Sequence, residues 1–193
     1  WASLWEFADI IHSKPYDQVV DDLAKMPGAH WFSGAHLNFA ENLLRHRDGQ
    51  TALIFKGEGQ SSVKITYAEL YDGVPRIAAS LRAMGIKPGD RVVGRLPNMP
   101  HAVIAMLAAT SSGAIWSSCS PDFGIKGVLD RFGQIQPRVI FTADGYFFKG
   151  KKIDSLARMA SILKELRSIE RVVVVPYTES APDIRGLPNA LHW

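Results

Sequence analysis

Two short segments hold residue types that could do chemistry. The first is Trp116-Ser-Ser-Cys-Ser-Pro-Asp-Phe-Gly124, where an aromatic ring, hydroxyls, a thiol and a carboxylate sit between an expected strand (114–118) and an expected helix (124–134). In open parallel sheets, ligands settle in the crevice at the carboxyl ends of the strands. The plainer alternative is a strand end followed by a helix cap at Asp122. The second is Tyr146-Phe-Phe-Lys-Gly-Lys-Lys152, after an expected strand at 139–142. Aromatics beside lysines can stack a nucleobase and hold a phosphate by point charge. A solvated loop carrying a few lysines accounts for the same residues.

The common catalytic motifs are missing. Neither G-x-x-x-x-G-K-[ST] nor G-x-G-x-x-G occurs, and Gly57 and Gly59 read as a turn between two strands. There is no G-x-S-x-G elbow. Ser111, Ser112, Ser117, Ser118 and Ser120 gather around one strand without a histidine or acid in triad order, and read as small residues beside a packed strand. Cys119, in the same place, reads as a small buried hydrophobe. The six histidines, His12, His30, His36, His46, His101 and His192, lack metal-ligand spacing, so no metal site is expected. No catalytic residue is named.

Composition narrows the class. At 193 residues, 47% hydrophobic and 21% charged, the chain is long enough for a sizeable core and too apolar to be disordered. The 22 Lys+Arg against 19 Asp+Glu are scattered, apart from Lys149, Lys151 and Lys152. That is too little for nucleic acid, which needs a basic face, but suits one small anion. The single cysteine fits a reducing compartment. No apolar run approaches the roughly 20 residues that span a bilayer, and Trp1-Ala-Ser-Leu-Trp-Glu-Phe7 lacks the basic start of a signal peptide. A cytoplasmic protein with small-molecule partners, and neither nucleic acid nor membrane, is expected. The chain opens without methionine and is expected to begin inside a longer one.

The elements that would position these segments fall into three parts. Residues 1–47 read as a helical N-terminal extension. Leu4, Phe7, Ala8 and Ile11 recur at helical spacing, Val19, Val20 and Leu23 suggest a second short helix, and Asn38 caps a third with Glu41 at N3. Residues 48–176 alternate strand and helix. Thr51–Phe55 and 63–67 suit a hairpin, and Thr66 caps a helix whose apolar side is Leu70, Val74, Ile77, Ala78 and Leu81. Gly85 ends that helix. Strands are expected at 91–96, 114–118, 139–142 and 171–175, with helices at 100–111, 124–134 and 154–166 between them. The fold class is α/β, a largely parallel sheet with crossover helices, preceded by the helical arm. Residues 177–193, with Pro182 and Pro188, read as a linker cut partway.

Taken together, these segments resemble a known family. Ile65-Thr-Tyr-Ala-Glu-Leu-Tyr71, Ala79-Ser-Leu-Arg-Ala-Met-Gly-Ile-Lys-Pro-Gly-Asp-Arg-Val92, Pro97-Asn-Met-Pro100 and Gly113-Ala-Ile115 are similar, in order, to the opening of the AMP-binding domain of acyl-CoA synthetases, in the adenylate-forming superfamily. Trp31-Phe-Ser-Gly-Ala-His-Leu-Asn-Phe-Ala-Glu-Asn42 resembles the N-terminal extension of the acetyl-CoA synthetase branch. Ile115-Trp-Ser-Ser-Cys-Ser-Pro-Asp-Phe-Gly124 and Val128-Leu-Asp-Arg-Phe-Gly-Gln134 resemble its acetoacetate-activating members.

The resemblance implies an AMP-forming acid–CoA ligase. The substrate's carboxylate would attack the α-phosphate of ATP, with Mg²⁺, to give an acyl-adenylate and pyrophosphate, and coenzyme A would then displace AMP. The family's Ser/Thr/Gly-rich phosphate loop, its nucleotide contacts and its lid lysine have no counterpart in these residues. The chain is therefore expected to be the front part of the enzyme, inactive alone, with the missing remainder of its own chain as a partner. The resemblance also implies a CoA contact at Lys151, where relatives carry arginine. A second arginine of theirs falls at Phe148, beside Lys149. Glycines flanking their pantetheine tunnel fall on Pro121 and Asp122. The alternatives are a short-chain synthetase for acetate, propionate or butyrate, and a non-catalytic nucleotide-binding or interaction module.

Overall fold

The computed structural model describes residues 1–193. The chain divides into two compact units, Trp1–Arg45 and His46–Trp193. In the first, helix α1 (Ala2–Phe7) precedes antiparallel strands β1 (Gln18–Val20) and β2 (Trp31–Ser33), then helix α2 (Phe39–Leu43). The Trp5 ring lies 5.0 Å from Phe32 and 5.2 Å from Tyr16, so aromatic edge and face contacts hold this small unit. Asn42 ties it further, its Oδ1 accepting from the Ile11 amide while its Nδ2 donates to the Ile11 carbonyl, each at 2.9 Å. Asn38 caps α2 as expected, accepting from the Glu41 amide. The helix expected around Val19, Val20 and Leu23 is instead strand β1 and a turn. Two successive β-branched residues favour the pleat, and so short a segment cannot offset helix nucleation. The arm is helical only in part.

In the second unit, β3 (Thr51–Phe55) and β4 (Val63–Thr66) form the expected antiparallel hairpin. Thr66 caps α3 (Tyr67–Ala83) reciprocally. Its hydroxyl oxygen accepts from the Glu69 amide at 3.2 Å, and the Glu69 carboxylate accepts from the Thr66 amide at 2.8 Å. Leu70, Val74, Ala78 and Leu81 are buried, and Gly85, at φ +81°, ends the helix.

The remaining elements are β5 (Arg91–Arg95), α4 (Pro100–Ser111), β6 (Ile115–Cys119), α5 (Ile125–Phe132), β7 (Val139–Ala143), β8 (Gly145–Phe148), β9 (Lys151–Asp154), α6 (Leu156–Glu165), β10 (Arg171–Val175) and β11 (Ala190–His192). Five of these strands form one parallel sheet in the order β11-β10-β7-β5-β6. Val93, Ile140, Val172 and Val174 meet Val128 and Phe132 of α5 and Met159 and Ile162 of α6. Phe141 and Val173, one residue out of phase, line a cavity together with Ile77 and Leu81 of α3, against which α4 packs. Cover on both faces is why β7 and β10, Val139–Ala143 and Arg171–Val175, are buried at nearly every position and largely apolar.

Two segments differ from expectation. Residues 146–152, read as a loop, lie in an antiparallel hairpin of β8 and β9. Residues 177–193, read as a linker, carry the buried Leu187 and end in β11, parallel to β10. Without β11, the backbone groups along one side of β10 would lack sheet partners.

Candidate functional site

Parallel strands bring their carboxyl ends to one edge, so Arg95 of β5, Cys119 of β6 and Ala143 of β7 finish side by side. The two segments singled out in the sequence both leave from this edge. Residues 120–124 follow β6, and the β8–β9 hairpin follows β7, with β5 between them.

The hairpin places Phe148 opposite Lys151 and turns through Lys149 and Gly150 at φ +52° and +74°. Positive φ at both central residues is the hairpin turn that matches strand twist. Lys149 adopts it without glycine's freedom. Phe148 is 55% exposed, with the Lys149 ammonium 5.3 Å from its ring centroid. Lys152 is paired with Glu179, whereas Lys149 and Lys151 carry no ion pair. The tip amides are engaged by a distant residue: the Lys149 amide donates to Glu58 Oε2 at 3.1 Å, and the Gly150 amide donates to Glu58 Oε1. The result is an exposed aromatic ring, two free ammonium groups and two convergent amides, an arrangement suited to a phosphate-bearing ligand.

At the other segment, Pro121 is buried and Asp122 exposed. Arg95, at zero exposure, donates from Nη2 to the Pro121 carbonyl and, at 3.5 Å, to the Phe123 carbonyl. Its Nε and Nη1 have no partner. Burial pushes its pKa down, and the Cys119 thiol beside it is pushed up to about 11, chiefly by burial. That thiol is neutral and unreactive at physiological pH. The Trp116 ring lies across Gly94, where a Cβ would come within 2.7 Å of it, and tilts against Phe141 at 6.1 Å. Trp116 is therefore committed to packing on the sheet.

Three further residues take part, and nothing in the local sequence marks Asp144 or Glu58 among them. Arg95 had one signal, a lone charge at the end of Val92-Val93-Gly94. Asp144, 5% exposed just past β7, accepts from the amides of Tyr177, Thr178 and Glu179 and from the Thr178 hydroxyl. Glu58 lies in an unremarkable polar turn. Of the serines, Ser111 and Ser112 donate to the Ala108 carbonyl and finish α4. His101 is half-buried, 5.0 Å from the Trp193 ring, and burial lowers its pKa. No helix is long and apolar enough to cross a membrane.

Residues 39–190 match the family model described as AMP-binding enzyme, and residues 1–43 match that of the acetyl-coenzyme A synthetase N-terminus. The acetoacetyl-CoA synthetase of Gallus gallus is 49% identical over 198 aligned residues, covering 99% of this chain and 29% of the relative. The acetoacetyl-coenzyme A synthetase of Rhizobium meliloti is 45% identical, covering 96% and 29%. A malonamoyl-CoA synthetase of Penicillium aethiopicum is 42% identical, covering 91% and 25%. Among solved structures, acetoacetyl-CoA synthetase from Streptomyces lividans aligns with a TM-score of 0.90 at 43% identity, over 100% of this chain and 30% of that one. The chain thus spans about 29% of the length of these acetoacetyl-CoA synthetases.

Proposed function

We propose, on the premise that this chain belongs to the AMP-binding enzyme family, that it forms part of an AMP-forming ligase joining acetoacetate to coenzyme A. The observation that carries the reading is the likeness to acetoacetyl-CoA synthetases over the whole chain, in sequence and in backbone. An acid's carboxylate oxygen attacks the α-phosphorus of ATP and expels pyrophosphate, and the CoA thiol then attacks the acyl carbon and expels AMP. Positioning and charge stabilisation supply most of the rate in such transfers. Mg²⁺ would accompany ATP. No group of three or more His, Cys, Asp or Glu here could hold a metal ion, so none of these residues is given that task.

The part this chain plays is at the CoA end. Lys151 and Lys149 would hold a phosphate of its nucleotide, Phe148 would offer a stacking face, and Pro121 and Asp122 would border the pantetheine arm. The remainder of the protein would supply the adenylating residues, and the single cysteine is why we assign the protein to the cytoplasm. A second reading, a ligase for acetate, propionate or butyrate, is favoured only by the acetyl-coenzyme A synthetase match at residues 1–43.

Supplied with acetoacetate, ATP, Mg²⁺ and CoA, the full-length protein is expected to form acetoacetyl-CoA with equal amounts of AMP and pyrophosphate. Release of ADP and phosphate instead would contradict the reading. In the same protein, Lys151→Ala is expected to raise the KM for CoA about threefold to fivefold, less at high salt, as for an exposed lysine–phosphate contact. Adenylate formation, which precedes CoA binding, should be unchanged. An equal loss in both half-reactions would mark a folding defect.

A further inference from the structure

The two amides at the tip of the β8–β9 hairpin are already occupied, and the occupant is an anion. Lys149 and Gly150, both at positive φ, direct successive N–H groups to the same side, a concavity that binds anionic oxygens. Each amide meets a different oxygen of Glu58, so one carboxylate is held by both, across 91 and 92 residues of sequence. Glu58 has no lysine or arginine in salt-bridge range, which leaves the backbone amides as its partners.

An independent set of contacts holds Glu58 in place. Its turn packs on Tyr177, where the Gln60 side chain donates to the Tyr177 carbonyl, and a Cβ on Gly57 would come within 2.6 Å of the Tyr177 hydroxyl. The Tyr177 ring in turn lies 5.9 Å from Phe147 of β8 and 6.2 Å from Phe55 of β3. The two hairpins are therefore braced on one tyrosine, with Glu58 at the tip of the other hairpin.

We propose that Glu58 is a built-in competitor. Its carboxylate fills the tip's anion site in the ligand-free protein, and a phosphate group of the incoming ligand displaces it. This rests on the reading of the tip as the phosphate end of the CoA site. A phosphate monoester presents three acceptor oxygens and nearly two charges, against two oxygens and one charge for the carboxylate. Lys149 and Lys151, unpaired beside the tip, add attraction that Glu58 does not use. The carboxylate keeps the amides satisfied when no ligand is present, and it excludes weaker anions.

The test measures binding of adenosine 3′,5′-bisphosphate to the full-length protein by calorimetry, in wild type, Glu58→Ala, Glu58→Gln and Lys151→Ala. Removing a competitor tightens binding, so Glu58→Ala is expected to lower the Kd about threefold to fivefold, the size of one exposed charged contact. Glu58→Gln, which keeps one carbonyl oxygen, should lower it less. A Glu58 that merely stiffens the hairpin predicts the opposite sign, because its loss would loosen the tip and raise the Kd. A raised or unchanged Kd in both Glu58 variants, with Lys151→Ala still weakening binding, overturns the competitor and leaves the CoA reading standing. A Lys151→Ala variant that binds as wild type overturns that reading itself. Should Glu58→Ala melt early, Glu58→Gln decides the sign.

Discussion

Asp144→Ala is expected to destabilise the fold by about 3 kcal/mol, because it orphans four part-buried donors at once. The Asp144 Oδ1 accepts from the Tyr177 amide at 2.7 Å and the Thr178 amide at 3.0 Å, and its Oδ2 accepts from the Thr178 hydroxyl at 2.6 Å and the Glu179 amide at 2.9 Å. These bonds fasten the end of β7 to the chain leaving β10. The same chain carries Tyr177, on which both hairpins are braced, and Glu179, which pairs with Lys152. Asp144→Asn keeps the shape but turns one oxygen into an NH₂ facing donors, so it should lose roughly half as much. The difference is readable by urea denaturation, with hydrogen exchange at residues 177–179 as the local probe. A loss under about 0.5 kcal/mol, the range of an unremarkable surface substitution, would show that the carboxylate is not the fastener.

The second large effect is at Arg95, and its sign depends on the replacement. A guanidinium with zero exposure and two unpartnered nitrogens retains a desolvation penalty that its single bonded nitrogen offsets only in part. Arg95→Met fills similar length with apolar atoms and is expected to leave stability unchanged or raise it by about 1 kcal/mol. Arg95→Ala leaves a void beneath residues 120–123 and is expected to cost about 3 kcal/mol. Thermal unfolding of the two variants against wild type separates these outcomes. If methionine were as damaging as alanine, the charge and its bonds to the Pro121 and Phe123 carbonyls would be net stabilising.

How far the sequence could be read follows from where the information lies. The capping pair Thr66 and Glu69, the glycine at 85 and the valine run at 172–175 act within one turn or one strand, so local pattern is enough to find them. The parallel sheet follows from strands separated by helices, since a crossover leaves no other pairing. The N-terminal unit was harder. Val19 and Val20 fit a short helical spacing as well as a strand, and only the partner Trp31–Ser33 decides between them.

The candidate site was legible in part for the same reason. Phe148, Lys149 and Lys151 stand together in the chain, so their convergence on one hairpin could be suspected, although its turn depends on a lysine in the left-handed region. Glu58, Arg95 and Asp144 owe their roles to contacts 26 to 92 residues away. A glutamate in a polar turn carries no mark of the amides it will meet. Nor does the sequence show that two of the three guanidinium nitrogens of a strand-ending arginine will be left unpartnered.

The central claim, an acid–CoA ligase for acetoacetate, is tested most directly by substrate preference in the full-length protein. kcat/KM should be measured for acetoacetate, acetate, propionate and butyrate, at saturating ATP and CoA, by pyrophosphate release. A pocket that hydrogen-bonds the second carbonyl group favours the acid that has it, so acetoacetate is expected to exceed acetate and butyrate by at least about tenfold. A ratio near unity, or a preference for acetate, would contradict the assignment and move the protein to the short-chain ligases.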